Sequence, residues 1–195
     1  MIQTLNQWDI NLFLFLNGLH SSFWDPFMYF ISGIPQWMPL YMVLIYFIIK
    51  KFKFKAVYIL LAVVLLIVLS DQISSGIIKN AVQRLRPSHN PDILALVHTL
   101  HNYAGGSYGF VSSHASNTFA LATFMSFLFK NKYFSISIFF WAALVSYSRI
   151  YLGVHYPGDI LCGAILGAGL GFGLYHFSQF LIRKNYFKLK LSEPE

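Results

Sequence analysis

The sequence predicts an all-α, polytopic membrane helix bundle of about six transmembrane helices, with an N-terminal interfacial helix. Three observations carry that expectation. Hydrophobic residues make up 56% of the chain and charged residues only 11%, too little polar material to cover a soluble domain. Apolar runs recur at roughly 22–34, 36–49, 56–78, 114–129, 133–148 and 158–182, several reaching the ~20 residues of a crossing with their flanks. Basic residues gather between alternate runs. At 195 residues, a single domain over 1–195 is expected.

Taken in order, Leu5, Trp8, Leu12, Phe15 and Leu16 recur at helical spacing while Asn6, Asp9 and Asn17 fall off the stripe. This pattern suits a helix lying in the interface, or the start of a long first crossing. The 22–34 run holds Asp25 and Pro26 and is short, so it is either a sixth crossing or a re-entrant piece. Five crossings are expected between 36 and 182. The N-terminus lacks a basic n-region and a small-residue cleavage site, so no removable signal peptide is expected. Cys162, the only cysteine, cannot form an internal disulfide and reads as a small apolar residue on a helix.

Lys50, Lys51, Lys53 and Lys55 form one basic group, Lys130 and Lys132 a second, and Arg183, Lys184, Lys188 and Lys190 a third. Alternating crossings put all three on one side, which the positive-inside rule assigns to the cytoplasm. There they anchor helix ends and touch anionic headgroups. Lys79, Arg84, Arg86 and Arg149 fall on the opposite side, so a functional face looking outward from the cytoplasmic membrane is expected. The net charge of +7 does not imply nucleic acid, because no soluble basic face exists to bind it.

The connection at 80–112, with Pro87, Pro91, Gly105, Gly106 and Gly109, is far longer than most, and such loops are usually functional. Gly163, Gly167 and Gly171, with Gly169 and Gly173 beside them, make small-xxx-small patterns suited to close helix packing, within the chain or between subunits.

Polar residues that persist in so apolar a chain usually line a site, and here they form three clusters. Lys79 and Arg86 are seven apart, so both can project from one face of a helix end that Pro87 stops. A lysine offers phosphate a point charge and an arginine a planar fork. Ser112-Ser113-His114 stands where the loop meets the next run. Serine is a favoured N-cap, and the free N–H groups of a helix start bind phosphate oxygens. Ser148-Arg149 precedes His155 and Asp159. Four residues apart, Asp159 can accept the Nδ1–H of His155, fixing the tautomer and freeing Nε2 as nucleophile or base. Each cluster alone has a structural reading; together they form a set suited to handling phosphate. Outside them, Asp71 either pairs with a site cation or bonds its Ser and Gln neighbours. His98 and His101 make at most a loose metal pair with no fixed carboxylate or thiol, or touch a substrate headgroup with His89.

Lys79-x6-Arg86-Pro87, Ser112-x-His114 and Ser148-Arg149-x5-His155-x3-Asp159 together resemble the three-part signature of the type-2 phosphatidic acid phosphatase (PAP2) superfamily, in its membrane lipid phosphatase branch. The middle motif departs from the usual Pro-Ser-Gly-His, with Val111 and Ser113 in place of the proline and glycine. The resemblance implies that His155 attacks phosphorus to form a phosphohistidine while Asp159 orients it. It implies that Lys79, Arg86, Arg149 and the backbone at Ser112 and Ser113 hold the phosphoryl oxygens, and that His114 protonates the leaving oxygen. No metal or other cofactor is implied, since the cations take its place. The expected substrate is a membrane lipid phosphate: undecaprenyl diphosphate, phosphatidylglycerol phosphate, phosphatidate or the lipid A 1-phosphate. A phosphotransferase or a non-hydrolytic lipid-phosphate transporter are the alternatives, and nothing in the sequence sets an oligomeric state.

Overall fold

The computed structural model describes residues 2–101 and 103–191, with side chains for 3–101 and 103–184. Lys188 and Lys190 of the third basic group lie outside the described side chains. The chain folds into helices α1 (Ile2–Asn17), α2 (Asp25–Ser32), α3 (Met38–Phe52), α4 (Ala56–Asp71), α5 (Lys79–Val82), α6 (Ser113–Phe129), α7 (Lys132–Tyr151) and α8 (Pro157–Leu191). The stretches Pro35–Val82, Lys132–Tyr151 and Pro157–Lys184 are each long and apolar enough to cross a membrane. The first of these holds α3 and then α4 with its continuation to Val82, because the backbone turns at Lys53–Lys55, where Lys53 has φ 50.

α6 is the central element, packed against α8, α7 and α4. Its contact with α8 depends on three glycines. A Cβ on Gly163, Gly167 or Gly171 would stand 2.5, 2.0 or 2.4 Å from the carbonyl oxygens of Ser112, Ser116 and Ala120. The small-xxx-small face therefore serves close backbone approach within the chain.

The structure bears on two alternatives left open by the sequence. α2 has eight residues, about 12 Å of helix against a ~30 Å hydrocarbon core, too short a helix to span that core by itself. It docks on α7, where the Tyr151 hydroxyl donates to Asp25 Oδ1 at 2.7 Å. α1 stops at Asn17 rather than running into a long first crossing. Its apolar stripe of Leu5, Trp8, Leu12 and Phe15 is exposed, and Ile10 and Phe13 pack inward with Ile150 and Tyr156.

A further departure concerns the helix carrying Lys79. α4 continues through a π-helical segment, Gln72–Ile78, into α5 and ends at Val82, with Gln83 left-handed at φ 52. Arg86 is thus not on the same helix face as Lys79. It sits on an extended segment where Leu85 pairs antiparallel with Tyr108, and its N–H donates to Ser107 O at 3.0 Å. Leu85 and Arg86 satisfy backbone groups across the loop, which pulls the chain out of the helix before Pro87 acts.

The loop itself is strapped down. Asn17 Nδ2 donates to Ile150 O and Tyr151 O at 3.1 and 2.8 Å, and Asn17 Oδ1 accepts from His98 N at 2.8 Å. His98 Nε2 lies 3.1 Å from Asp25 Oδ1 and its ring stacks on His20, whereas His101 turns to the edge of Tyr29. The two loop histidines do not act as a pair.

The basic groups assemble as expected at one end of the bundle. Lys51 Nζ donates to Phe129 O at 3.3 Å, and Lys130 and Arg183 line one cavity. The three polar clusters lie at the other end.

Candidate active site

Five elements deliver the polar side chains. α5 presents Lys79, the extended loop Arg86, the start of α6 Ser113 and His114, the last turn of α7 Arg149, and the turn into α8 His155 and Asp159. Ser112 caps α6, its hydroxyl accepting from Ala115 N at 3.4 Å. Pro157 opens α8 as expected for a first-turn proline.

The cations are held by neutral partners. Arg86 Nε donates to Tyr108 O at 3.1 Å. Arg149 Nη2 donates to the Tyr103 hydroxyl at 2.8 Å, and its Nη1 bonds Ser32 Oγ. Lys79 Nζ donates to Ser113 Oγ at 3.3 Å. Neutral acceptors fix each head in place, while Asp71 and Asp159 act on Lys79, and Asp159 on Arg86, only through space. Arg86 and Arg149 are 8% and 3% exposed, a burial that would be costly without a counter-anion. The guanidinium of Arg86 is held below its ordinary value by burial and then by Arg149.

His155 is fully enclosed, in the turn between α7 and α8. Burial, then Arg86, Arg149 and Lys79, hold its pKa well below the ordinary histidine range. It is therefore neutral, the form a nucleophile needs. Its Nδ1 lies 3.5 Å from Asp159 Oδ2, longer than a good hydrogen bond, with the Gly109 backbone as the other polar group beside the ring. The four-residue spacing does bring the pair together, yet not on one helix: His155 precedes α8 and Asp159 lies in its first turn. Gly109 makes this approach feasible. A Cβ there would meet Asp159 Oδ2 at 2.9 Å and stand 3.3 Å from Arg86 Cγ and 3.6 Å from His155 Nδ1.

Sequence reasoning missed what holds Asp159. Arg84 Nη1 donates to Asp159 Oδ1 at 2.9 Å and to Asp9 Oδ2 at 2.8 Å, while its Nη2 donates to Asn6 Oδ1 at 2.9 Å. Burial works to lower the Arg84 pKa, but Asp159 and Asp9 raise it overall. Asp159 Oδ2 also accepts from Tyr156 N at 3.0 Å, and Asp9 Oδ1 accepts from Gly158 N at 2.7 Å at the start of α8. The signal was there: Arg84 was the outward cation left without a cluster, and Asn6 and Asp9 were the polar positions off the α1 stripe.

Ser113 and His114 also line the mouth of a cavity of about 500 Å³. Beyond them it runs down between α3, α4, α6 and α7 past Trp37, Leu44, Val63, Leu121 and Trp141. A cationic pocket thus opens onto an apolar channel, the arrangement that suits a phosphate joined to hydrocarbon.

The PAP2 superfamily model matches residues 56–183, which contain all three clusters. The chain belongs to the PAP2 superfamily. It is 44% identical over 180 residues to the lipid A 4'-phosphatase of Bacteroides thetaiotaomicron, covering 91% of this chain and 79% of that one. To the lipid A 4'-phosphatase of Porphyromonas gingivalis it is 42% identical over 166 residues, covering 85% and 70%. The crystal structure of Aquifex aeolicus LpxE superposes with a TM-score of 0.60 at 25% identity, covering 85% of this chain and 93% of that one. This PAP2 protein is a membrane lipid phosphatase, a phosphoric ester hydrolase.

Proposed function

We propose that the protein hydrolyses the phosphate monoester of an acylated sugar lipid of the lipid A 4'-phosphate kind, at the outer face of the cytoplasmic membrane. The observation that carries this is the meeting of three cations without a directly bonded carboxylate and a neutral, carboxylate-flanked His155, beside Ser113 and His114 at the mouth of an apolar cavity. Two relatives bearing the lipid A 4'-phosphatase name match most of the chain, which favours a 4'-phosphate over the four lipid phosphates the sequence left open. The outward orientation rests on the basic groups gathered at the opposite end.

A monoester carries roughly −1.5 to −2 charges at neutral pH, which Lys79, Arg86 and Arg149 offset. Preorganised donors of this kind stabilise the transferring group by several kcal/mol, on the order of 3 for each donor removed. The N–H groups at the start of α6, around Ser112 and Ser113, add a helix N-terminus aimed at the anion.

His155 Nε2 attacks phosphorus, forming the P–N bond as the P–O bond to the lipid breaks. His114 gives its proton to the departing oxygen, so the lipid leaves as an alcohol. Water then attacks the phosphohistidine, returning its proton to His114. The P–N bond breaks, inorganic phosphate leaves, and His155 is neutral again. Asp159 stabilises the charge that grows on the imidazole. An inward shift of roughly 0.6 Å brings its Oδ2 to a normal hydrogen-bond distance from Nδ1, and such bonds tighten in the reacting complex. With the cations supplying charge stabilisation, the scheme routes no step through a metal.

Phosphate release from a panel of lipid A 4'-phosphate, phosphatidate, phosphatidylglycerol phosphate and undecaprenyl diphosphate tests the proposal, run with a chelator and with His155→Ala alongside. Fastest release from the sugar phosphate, insensitive to chelator and lost in the variant, is expected. Release from none of the lipids would sink the hydrolase role. Inhibition by chelator would overturn the metal-free scheme, and transfer to an added alcohol in preference to water would point to a phosphotransferase.

A further inference from the structure

The cavity below the phosphate pocket is not apolar at its neck. Ser32, Ser113, His114, Asn117, Thr118 and Asp71 ring its upper end, and hydrocarbon side chains line the rest. Asn117 follows Ser113 by four residues, just over one helical turn or about 6 Å deeper along α6. Asp71 faces it from α4, on the same face as Leu60, Val63, Val64 and Ile67 of the cavity wall.

Three members of the ring are already engaged. Ser32 Oγ accepts from Arg149, Ser113 Oγ accepts from Lys79, and the Thr118 hydroxyl donates to His114 O at 2.8 Å. Asn117 Oδ1 is buried with no hydrogen-bond partner among the described residues. The Asp71 carboxylate lines the cavity, and the bond received at that residue, 3.3 Å from Ser74 Oγ, goes to the main-chain oxygen instead. Asn117 Oδ1 is a buried acceptor without a donor, which is costly, and beside it Asp71 is a half-buried carboxylate that acts on Lys79 only through space. Hydrocarbon cannot supply a donor.

Resting on the phosphatase reading, we infer that Asp71 and Asn117 form a carrier-recognition subsite for an O–H or N–H borne by the substrate within about one helical turn of its phosphorus. A sugar phosphate with a free hydroxyl or an amide-linked acyl chain presents such donors. A prenyl phosphate and a diacylglycerol phosphate do not, since their atoms beside the phosphate are hydrocarbon or ester acceptors. The anionic neck also disfavours a second phosphoryl group at that depth, selecting a monoester over a diphosphate. Discrimination by unpaired buried polar groups is strong, because an analogue lacking the donor leaves the acceptors desolvated and unbonded.

The test uses the full chain in detergent and a matched substrate pair: an N-acyl glucosamine lipid 4-phosphate, and its deoxyfluoro, ester-linked counterpart of equal chain length. Wild type should favour the donor-bearing member by about 10²-fold in kcat/KM. Asn117→Leu and Asp71→Leu should each shrink that ratio to within about fivefold by losing the donor-bearing substrate selectively, and Asp71→Asn, which keeps volume and one acceptor oxygen, should retain part of it. Equal hydrolysis of both members by wild type overturns the subsite and leaves the phosphatase reading standing. A parallel fall on both substrates in the variants overturns it also. Release from neither member and from no other lipid phosphate would instead remove the phosphatase reading on which the subsite rests.

Discussion

The two ends of the bundle carry cations in opposite ways. At one end Lys50, Lys51, Lys53, Lys55, Lys130, Lys132, Arg183 and Lys184 are all exposed. Water screens them, and Lys51 lies over the rings of Phe52 and Phe129. At the other end Arg86 and Arg149 are buried and Lys79 is half-buried, and all three act on His155. Equal charges therefore do different work. The exposed set costs little and anchors helix ends. The buried set is held against its own repulsion by Tyr103, Tyr108, Ser32 and Ser113. It is a site preorganised for an anion.

Substitutions should separate the two ends sharply. His155→Ala should lower kcat by at least about 10³-fold, as removal of a nucleophile does, measured as phosphate release. Arg149→Lys or Arg86→Lys should cost about 10²- to 10³-fold, since a point charge does not replace the planar fork. Lys51→Ala or Lys130→Ala should stay within about twofold, and a loss as large as that of the arginine variants would erase the contrast. Gly109→Ala should cost about 10²-fold by pressing a methyl against Asp159 Oδ2 and, less closely, against the Arg86 stem.

Arg84→Ala should act on stability as well as rate. It leaves buried Asp159 without its ion-pair partner and releases Asp9, a loss of roughly 3 kcal/mol for breaking a buried pair. The thermal midpoint in detergent should fall, and Arg84→Lys should restore part of both losses. If Arg84→Ala unfolds at the wild-type temperature, the Asp9–Arg84–Asp159 chain is not what holds the dyad.

The smallest effect expected is on pH. The folded pKa of His155 lies well below its ordinary value of about 6.5, so the unfolded chain binds the proton more tightly. Stability from this group is full above about pH 6.5 and is lost as pH falls below it. In activity, the acid limb of kcat/KM, which reports free enzyme, should fall below 6.5, and a basic limb from His114 as the acid should show in kcat, where the bound phosphate dianion holds its proton. A rate rising steadily from pH 5 to 9 would count against His114 in that role.

Much of the site was legible because its chemistry is spelled in residue types and spacings: His155 to Asp159, Ser112 to His114, Arg149 near the end of a run. What was not legible is what the backbone decided. Seven residues between Lys79 and Arg86 suggested two helical turns, but the Leu85–Tyr108 pairing ends the helix at Val82, and Arg86 arrives by an extended path. The 22–34 run was apolar enough for a crossing, and only the eight-residue length of α2 bears on the choice. Long-range partners were hidden for a simpler reason. Arg84 meets Asp9 and Asp159, 75 residues apart in both directions, and no periodicity along one helix encodes a contact between three elements. The glycine face of α8 could be read as close packing, but its partner, the backbone of α6, becomes visible only once the helices are assembled.

The most direct measurement is a rapid-mixing experiment on the detergent-solubilised protein with a lipid phosphate monoester, quenched in base and read by mass spectrometry. A phosphoryl group should appear on His155 at a rate no slower than turnover and vanish in His155→Ala. Turnover with no phosphoryl group ever carried by His155, or one carried by another residue, would contradict the nucleophile and the site built around it.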